Sequence, residues 1–208
     1  MSDDPARTLF ETLRAEAGRA VRGPAHLARL TRSARALRVP LDEAQARAAL
    51  TDLPDATLRL RLTVRPSGDV RLESWPFQPE PAGTIVRVGW AEETVRSADP
   101  SRRHKSRDRA AYDRASRRAA EAGLADLLFV NERGELVEGA ISTLFAEIDG
   151  RVWTPPLAAG ALPGVLRATW LARGAVREAT LRPDDLRRAS RLWIGSSLRG
   201  ARRATLTP

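Results

Sequence analysis

The sequence predicts a mixed α/β (α+β) protein built in two parts. Strict alternation of apolar and polar residues over 58–64 predicts a half-buried strand, and helical spacing of apolar residues over 24–37 predicts a helix. After the proline-rich stretch 75–83, short apolar runs alternate with further helical patterns. We therefore predict a small N-terminal α/β domain at 1–97 and a larger C-terminal domain at 98–208.

The elements of the first part follow from periodicity and turn residues. Asp42 and Glu43 place acidic groups in the first turn of a helix, and Ser67-Gly68-Asp69 forms the turn of a hairpin. The predicted elements are a strand at 8–14, helices at 24–37 and 41–50, paired strands at 58–64 and 70–73, and a strand at 84–88.

The second part shows the same signals in a different order. Gly123 is a helix-ending glycine, and Asp149-Gly150 between two apolar runs is typical of a tight hairpin. The predicted elements are a helix at 106–122, a buried strand at 127–130, a hairpin of strands 144–148 and 152–154, a helix at 162–173, and strands at 175–181, 192–195 and 202–206.

The composition excludes several classes of protein. With 208 residues, 42% hydrophobic and 29% charged, the chain can bury a core. No apolar run reaches about 18 residues, and the N-terminus lacks a secretory pattern, so we predict a cytoplasmic protein without a membrane span. The absence of cysteine excludes disulfides and thiolate ligands, and two histidines are too few for a histidine-rich metal site.

The net charge of +9 raises the question of a nucleic-acid partner. The arginines are spread along the chain and alternate with Asp and Glu, and there is a single tyrosine. We predict a solvated basic surface and no nucleic-acid partner. An acidic small-molecule substrate is compatible with this charge.

The chain has one lysine, Lys105, among 35 basic residues. A guanidinium stays protonated, whereas a lysine amine can lose its proton beside other cations and attack a carbonyl to form a Schiff base. Lys105 lies in the cationic run Ser101–Arg109, which is expected to lower its pKa. The residue is therefore a candidate nucleophile.

Lys105 is one of four sequence features that follow one another in a fixed order. They are His26-Leu27-Ala28-Arg29-Leu30, the lysine itself, Val137-Glu138-Gly139-Ala140-Ile141-Ser142-Thr143-Leu144-Phe145, and Thr154-Pro155-Pro156-Leu157 leading to Leu162-Pro163-Gly164-Val165-Leu166-Arg167. This ordered set resembles class IV (fold-type IV) pyridoxal-phosphate enzymes, and the resemblance extends from about Phe10 to the C-terminus. The family includes branched-chain and D-amino acid aminotransferases and aminodeoxychorismate lyase.

The resemblance implies a two-domain fold with pyridoxal 5′-phosphate at the domain interface and assigns roles to particular residues. Lys105 is the catalytic residue and the covalent cofactor ligand, and Glu138 is the partner of the pyridine nitrogen. The implied phosphate ligands are Arg29, the backbone amides of Val165 and Leu166 at a helix N-terminus, and Ser196. The implied substrate ligands are Arg103, Ser197 and Arg199, of which the two arginines suit a carboxylate.

The strings around Lys105 and Ser197-Leu198-Arg199-Gly200 resemble the lyase branch most. The aminotransferase branch has a tyrosine five residues after the lysine, where this chain has Ala110. We therefore predict a lyase that forms 4-aminobenzoate and pyruvate in folate biosynthesis. The alternatives are a class IV aminotransferase acting on D- or branched-chain amino acids and, in another class, a non-catalytic basic binding protein. The resemblance also implies a homodimer and allows an aminodeoxychorismate synthase partner.

Overall fold

The chain folds into two compact units, and the structure, a computed structural model, describes residues 4–207. The first unit comprises the chain up to Pro79 together with Arg103–Asp108. The second comprises Glu80–Arg102 and the chain from Arg109 onward. Each unit has its own sheet and its own hydrophobic core.

The first unit is an antiparallel four-stranded sheet with two helices. Its elements are β1 (Leu9–Glu16), β2 (Arg19–Ala20), α1 (Gly23–Ala36), α2 (Glu43–Ala48), β3 (Leu58–Val64) and β4 (Val70–Pro76). The strand order is β2-β1-β3-β4. One face of the sheet, which includes Leu13, Leu60 and Leu62, packs against Leu30 and Ala34 of α1 in the core.

The second unit is built on an eight-stranded mixed sheet in the order β10-β9-β8-β11-β12-β5-β6-β7. Its strands are β5 (Ile85–Trp90), β6 (Asp126–Val130), β7 (Leu136–Gly139), β8 (Thr143–Ile148), β9 (Arg151–Thr154), β10 (Arg177–Glu178), β11 (Arg191–Ser196) and β12 (Gly200–Leu206). Its helices are α3 (Ala110–Glu121), α4 (Val165–Ala172) and α5 (Pro183–Arg188). Phe145 of β8 packs on Trp170 of α4 with ring centroids 4.6 Å apart, which helps to fix α4 against the sheet.

The mixed α/β class predicted from the sequence is confirmed. The strand at 58–64 has the predicted bounds, and the hairpin between β8 and β9 turns at Asp149 and Gly150, whose φ angles are 51° and 71°. Positive φ at both central residues matches the twist of the flanking strands.

Three expectations need correction. The helix predicted at 106–122 begins only at Ala110, because residues 105–107 hydrogen-bond to the start of β1 instead. The strand predicted at 175–181 is reduced to Arg177–Glu178. The helix Pro183–Arg188 was missed, although Pro183 at its start and acidic residues in its first turn are typical helix signals.

The division into units also differs from the predicted boundary between 97 and 98. Residues 80–97 group with the second unit because β5 pairs in parallel with β6 and β12. Residues 103–108 group with the first unit because their backbone pairs with β1.

Candidate active site

Lys105 is held by backbone hydrogen bonds at one edge of β1. The Phe10 amide donates to the Lys105 carbonyl at 3.0 Å, and the Arg107 amide donates to the Thr8 carbonyl at 2.9 Å. β2 pairs with β1 only at residues 15 and 16, so the other end of this edge is available to the Lys105 segment. The Lys105 Nζ lies 4.7 Å from the centroid of the Phe10 ring. A cation over an aromatic face is favourable, so the contact helps to orient the amine.

A buried ionic triad lies on the helical side of the same sheet. Glu11 accepts hydrogen bonds from Arg29 Nε at 2.8 Å, from a terminal nitrogen of Arg29, and from His26 Nδ1 at 2.7 Å. Burial acts to raise the pKa of Glu11, but Arg29 and His26 together lower it to about 2. Burial lowers the pKa of His26, and its Nε2 is buried without a hydrogen-bond partner among residues 4–207.

This triad fixes the orientation of Arg29, the residue predicted to bind the cofactor phosphate. Two nitrogens of the guanidinium bind the Glu11 carboxylate, and this pairing fixes the plane of the group. The sequence singled out Arg29 but missed Glu11, although a carboxylate at a core-facing position of an alternating strand signals a buried partner.

In the second unit, Glu138 lies at the end of β7 within a polar cluster. Its Oε1 accepts hydrogen bonds from the Tyr112 hydroxyl at 2.9 Å and from the Leu162 amide at 3.2 Å, and a terminal nitrogen of Arg102 lies 3.8 Å away. Arg102 also donates to the Tyr112 hydroxyl and, through Nε, to the Gly160 carbonyl at 2.7 Å. Burial and the negative charge of Glu138 raise the pKa of Tyr112. The cluster therefore orients Glu138 and supplies a compensating charge.

The loop after Glu138 is fixed by a second buried carboxylate, Asp126. It accepts hydrogen bonds from the amides of Ala140 and Ile141 at 2.8 and 3.2 Å and from the Ser142 hydroxyl. Burial raises the pKa of Asp126, although these donors favour its charged form. A Cβ on Gly139 would lie 2.3 Å from Asp126 Oδ2, so only glycine fits between Glu138 and the loop.

The N-terminus of α4 carries the predicted phosphate loop. Gly164 precedes the helix and provides no side-chain cap, and the amides of Val165 and Leu166 make no hydrogen bond within the described chain. Both residues are buried. A Cβ on Gly164 would lie 2.8 Å from Thr143 Oγ1, so the threonine hydroxyl lies directly beside this helix end. An uncapped helix N-terminus is a site for an anion.

The turn after β11 lies against the same helix. A Cβ on Gly195 would lie 2.7 Å from Leu166 Cδ2, so the absence of a side chain lets the turn approach α4. Ser197 is buried, and its hydroxyl has no hydrogen-bond partner within residues 4–207. Ser196 is half-buried and accepts a hydrogen bond from the Arg199 amide at 3.3 Å. The Ser196 hydroxyl therefore keeps its own proton available as a donor, and the Ser197 hydroxyl has both roles available.

Within the second unit, the structure brings together several of the predicted site residues. Glu138 contacts the loop that leads into α4, and the turn with Ser196 and Ser197 packs on α4. In the first unit, Arg29 and Lys105 are half-buried or buried, whereas Arg103 is exposed. The sequence missed Arg102, Tyr112 and Asp126, which come from outside the recognised motifs.

These features fit the cofactor that the sequence resemblance implies. The uncapped amides of Val165 and Leu166 suit a phosphate, and the oriented Glu138 carboxylate suits a protonated ring nitrogen. No group of three His, Cys, Asp or Glu side chains within residues 4–207 could hold a metal ion. No helix in the same range is long and apolar enough to cross a membrane.

Comparison with known proteins adds sequence and fold relatives. A protein of Mesorhizobium loti assigned as an amino-acid aminotransferase is 36% identical, over 96% of this chain and 99% of that one, with a TM-score of 0.90. A hypothetical aminotransferase of Mycobacterium tuberculosis, in a form bound to alpha-ketoglutarate and PMP, is 26% identical over 97% of this chain and 81% of that one, with a TM-score of 0.81. A separate structure of that aminotransferase is a PLP-bound form.

A protein of Legionella pneumophila assigned as a 4-amino-4-deoxychorismate lyase has a similar fold. It is 22% identical, over 96% of this chain and 82% of that one, with a TM-score of 0.81. A comparison with curated protein sequences finds no match. The family model for amino-transferase class IV matches residues 8–206. The chain therefore belongs to the class IV aminotransferase family, whose members are pyridoxal-phosphate enzymes.

Proposed function

We propose that the protein is a 4-amino-4-deoxychorismate lyase that forms 4-aminobenzoate and pyruvate. The observation that carries this choice is the absence of a tyrosine at the position where the aminotransferase branch has one. Five residues after Lys105 stands the exposed Ala110, and the only tyrosine, Tyr112, donates its hydroxyl to Glu138. A chain without the tyrosine of the aminotransferase branch suits the lyase branch better.

The proposal assigns a role to each part of the site. Lys105 would hold the cofactor through its amine, and the freed amine would remove the proton from the ring carbon that bears the substrate amine. Glu138 keeps a proton on the pyridine nitrogen. When bound, pyridoxal phosphate supplies an electron sink for the negative charge formed at that carbon. Loss of the ring proton and expulsion of enolpyruvate make the ring aromatic, and the enolpyruvate takes up a proton to become pyruvate.

The phosphate ligands in this proposal are Arg29, Ser196 and the amides of Val165 and Leu166, and Ser197 with Arg103 and Arg199 contacts the substrate. The uncapped N-terminus of α4 supports the phosphate ligands. The unpartnered Ser197 hydroxyl supports the substrate ligands. Arg103 is exposed, so its role depends on the bound substrate.

The test is a product assay with the loaded enzyme and 4-amino-4-deoxychorismate. We expect equal amounts of 4-aminobenzoate and pyruvate from the wild type and neither product from Lys105→Arg, because a guanidinium stays protonated. Arg107→Gln, an exposed change in the same segment, is the matched control and should keep its activity. Turnover by Lys105→Arg would exclude the mechanism.

A second readout does not depend on turnover. Borohydride reduction of the loaded protein followed by peptide mass mapping should place the adduct on Lys105, the only side-chain amine in the sequence. An adduct without 4-aminobenzoate formation would reject the lyase and retain the cofactor site. Absence of any adduct would instead favour a non-catalytic basic binding protein.

The second candidate function is amino-group transfer from a D- or branched-chain amino acid. It is favoured by the Mesorhizobium loti relative, which is 36% identical and assigned as an amino-acid aminotransferase. Formation of glutamate from 2-oxoglutarate and an amino acid, without 4-aminobenzoate, would select this candidate.

We also propose that the enzyme acts as a homodimer in the cytoplasm, as the family resemblance implies. Light scattering of the loaded protein measures the mass directly, and a monomer at micromolar concentration would contradict the dimer. Docking on an aminodeoxychorismate synthase is testable by co-purification of the two proteins.

A further inference from the structure

Thr143, at the start of β8, is a buried hydroxyl residue that has no role in the reaction described so far. It is 8% exposed and pairs directly with Gly195 of the antiparallel strand β11. Directly opposed residues of antiparallel strands point their side chains to the same face of a sheet. At Gly195 this is the face covered by α4, because a Cβ there would lie 2.7 Å from Leu166 Cδ2. The side chain of Thr143 therefore points towards α4.

The Thr143 hydroxyl reaches the residue that precedes the helix. A Cβ on Gly164 would lie 2.8 Å from Thr143 Oγ1, so a larger residue at position 164 would displace the hydroxyl. The φ angle of Gly164 is −62°, which residues with a side chain also adopt. The glycine is therefore needed for the close approach of the hydroxyl and not for the backbone conformation.

The hydroxyl and the amides at this helix end do not bond to each other. α4 has no side-chain cap, and the amides of Val165 and Leu166 make no hydrogen bond within residues 4–207. The Thr143 hydroxyl also has no hydrogen-bond partner in that range. Polar groups that are this buried are normally hydrogen-bonded, since leaving them unpaired is unfavourable. Three donors thus lie at one helix end, where a single anion can accept from all of them.

The first turn of α4 itself offers no side chain to such an anion. The side chain of Leu166 is buried and packs in a hydrophobic cluster, so only its backbone amide is available. Arg167 is buried as well, and a terminal nitrogen of its guanidinium binds the Pro155 carbonyl at 2.9 Å and the Glu178 carboxylate. Thr143 supplies from β8 the side-chain donor that this turn lacks.

We propose that the Thr143 hydroxyl is a further ligand of the cofactor phosphate, which it binds together with the amides of Val165 and Leu166. A hydroxyl suits this position because hydrogen bonds to an ionised acceptor are roughly twice as strong as those between neutral groups. The assignment rests on the phosphate loop of the proposed function. It does not depend on the substrate, so it applies to the lyase and to the aminotransferase alike.

The test compares pyridoxamine 5′-phosphate with pyridoxamine, which differ only in the phosphate and contain no aldehyde to react with Lys105. Quenching of tryptophan fluorescence in the full chain, freed of cofactor, measures both dissociation constants, and their ratio isolates the contribution of the phosphate. Thr143→Val removes the hydroxyl and keeps nearly the same shape. We expect it to weaken binding of pyridoxamine 5′-phosphate by about tenfold and to leave binding of pyridoxamine unchanged, because only a hydrogen bond to the charged group is lost.

Two further variants separate the hydroxyl contact from a change in packing. Thr143→Ser keeps the hydroxyl and should keep the wild-type ratio of the two dissociation constants. Thr169→Val removes a hydroxyl of α4 that donates to the Val165 carbonyl at 2.9 Å, and it should also keep the wild-type ratio. If Thr143→Val weakens the binding of both ligands equally, or of neither, the proposal is overturned.

The ratio of dissociation constants and the product assay separate this phosphate ligand from the lyase reaction. A ratio that falls only in Thr143→Val, without formation of 4-aminobenzoate by the wild type, would retain the phosphate ligand and reject the lyase. Formation of 4-aminobenzoate, with the same ratio in the wild type and in Thr143→Val, would retain the lyase and reject the phosphate ligand.

Discussion

Asp126 fixes the loop that follows Glu138, and its replacement by alanine should be among the most damaging single changes in the second unit. The side chain is 1% exposed and accepts hydrogen bonds from the amides of Ala140 and Ile141 and from the Ser142 hydroxyl. It also accepts one from the amide of the next residue, Leu127. Asp126→Ala removes all of these acceptors at once.

The size of the effect follows from how many donors remain buried. Ile141 is 41% exposed, so water can satisfy its amide, and the buried Ala140 amide keeps a second acceptor, the Leu127 carbonyl at 3.1 Å. The buried Ser142 hydroxyl is the donor that loses its acceptor. Each buried donor left without an acceptor costs about 1–3 kcal/mol. One such donor gives a loss of about 1–3 kcal/mol in the free energy of unfolding, against a total of about 5–15 kcal/mol for a typical domain.

Urea unfolding at neutral pH, followed by tryptophan fluorescence, measures this loss. Asp113→Ala is the matched control, because that carboxylate is exposed and its pair with Arg109 should contribute at most about 1 kcal/mol. Gly139→Ala tests the same contact by steric means, since its Cβ would overlap the Asp126 carboxylate. A stability of Asp126→Ala within about 1 kcal/mol of the control would refute the reasoning.

The remaining predictions concern the acid and alkaline limits of stability. His26 and Glu11 both have folded-state pKa values below their ordinary ones, so the stability that they contribute is present at neutral pH and is lost on acidification. The loss due to His26 begins below its ordinary pKa of 6.5. The loss due to Glu11 begins below 4.5 and continues towards about 2. The urea concentration at the unfolding midpoint should fall as the pH is lowered through this range. His26→Gln should abolish only the part of this decrease that occurs above pH 4.5. A wild-type midpoint that does not change with pH would contradict the prediction. The pKa of Tyr112 is raised, so its stabilising effect is lost as the pH rises above about 10, the ordinary tyrosine value. Ultraviolet titration of the single tyrosine should show no ionisation in the folded protein near pH 10 and normal ionisation in urea.

The strands and the motif residues could be predicted because each signal is local. Alternation over Leu58–Val64 specifies one buried face, and the two residues Asp149-Gly150 specify the turn of the separate hairpin between β8 and β9. Glu138, Val165 and Leu166 were singled out because they lie in motifs that follow one another in a fixed order.

The partners of those residues could not be predicted, because they come from distant parts of the chain. Glu11 reaches Arg29 from another element, and Tyr112 reaches Glu138 across 26 positions. The segment with Lys105 was expected to run into a helix, but its backbone bonds to β1. A hydrogen bond between remote backbone groups leaves no periodic trace in the sequence, so only the folded chain shows it.

The contrast between 34 arginines and one lysine acquires a physical explanation from these contacts. Arg102 binds the Gly160 carbonyl, the Tyr112 hydroxyl and the Glu138 carboxylate region together, which the planar fork of a guanidinium allows and a single ammonium does not. Arg29 likewise uses two nitrogens on one carboxylate. Arginine therefore serves where a fixed, permanently charged group is needed to hold another residue. Under the proposed function, Lys105 is the one basic side chain that has to lose its proton, and no second side-chain amine in the sequence competes with it for the aldehyde of the cofactor.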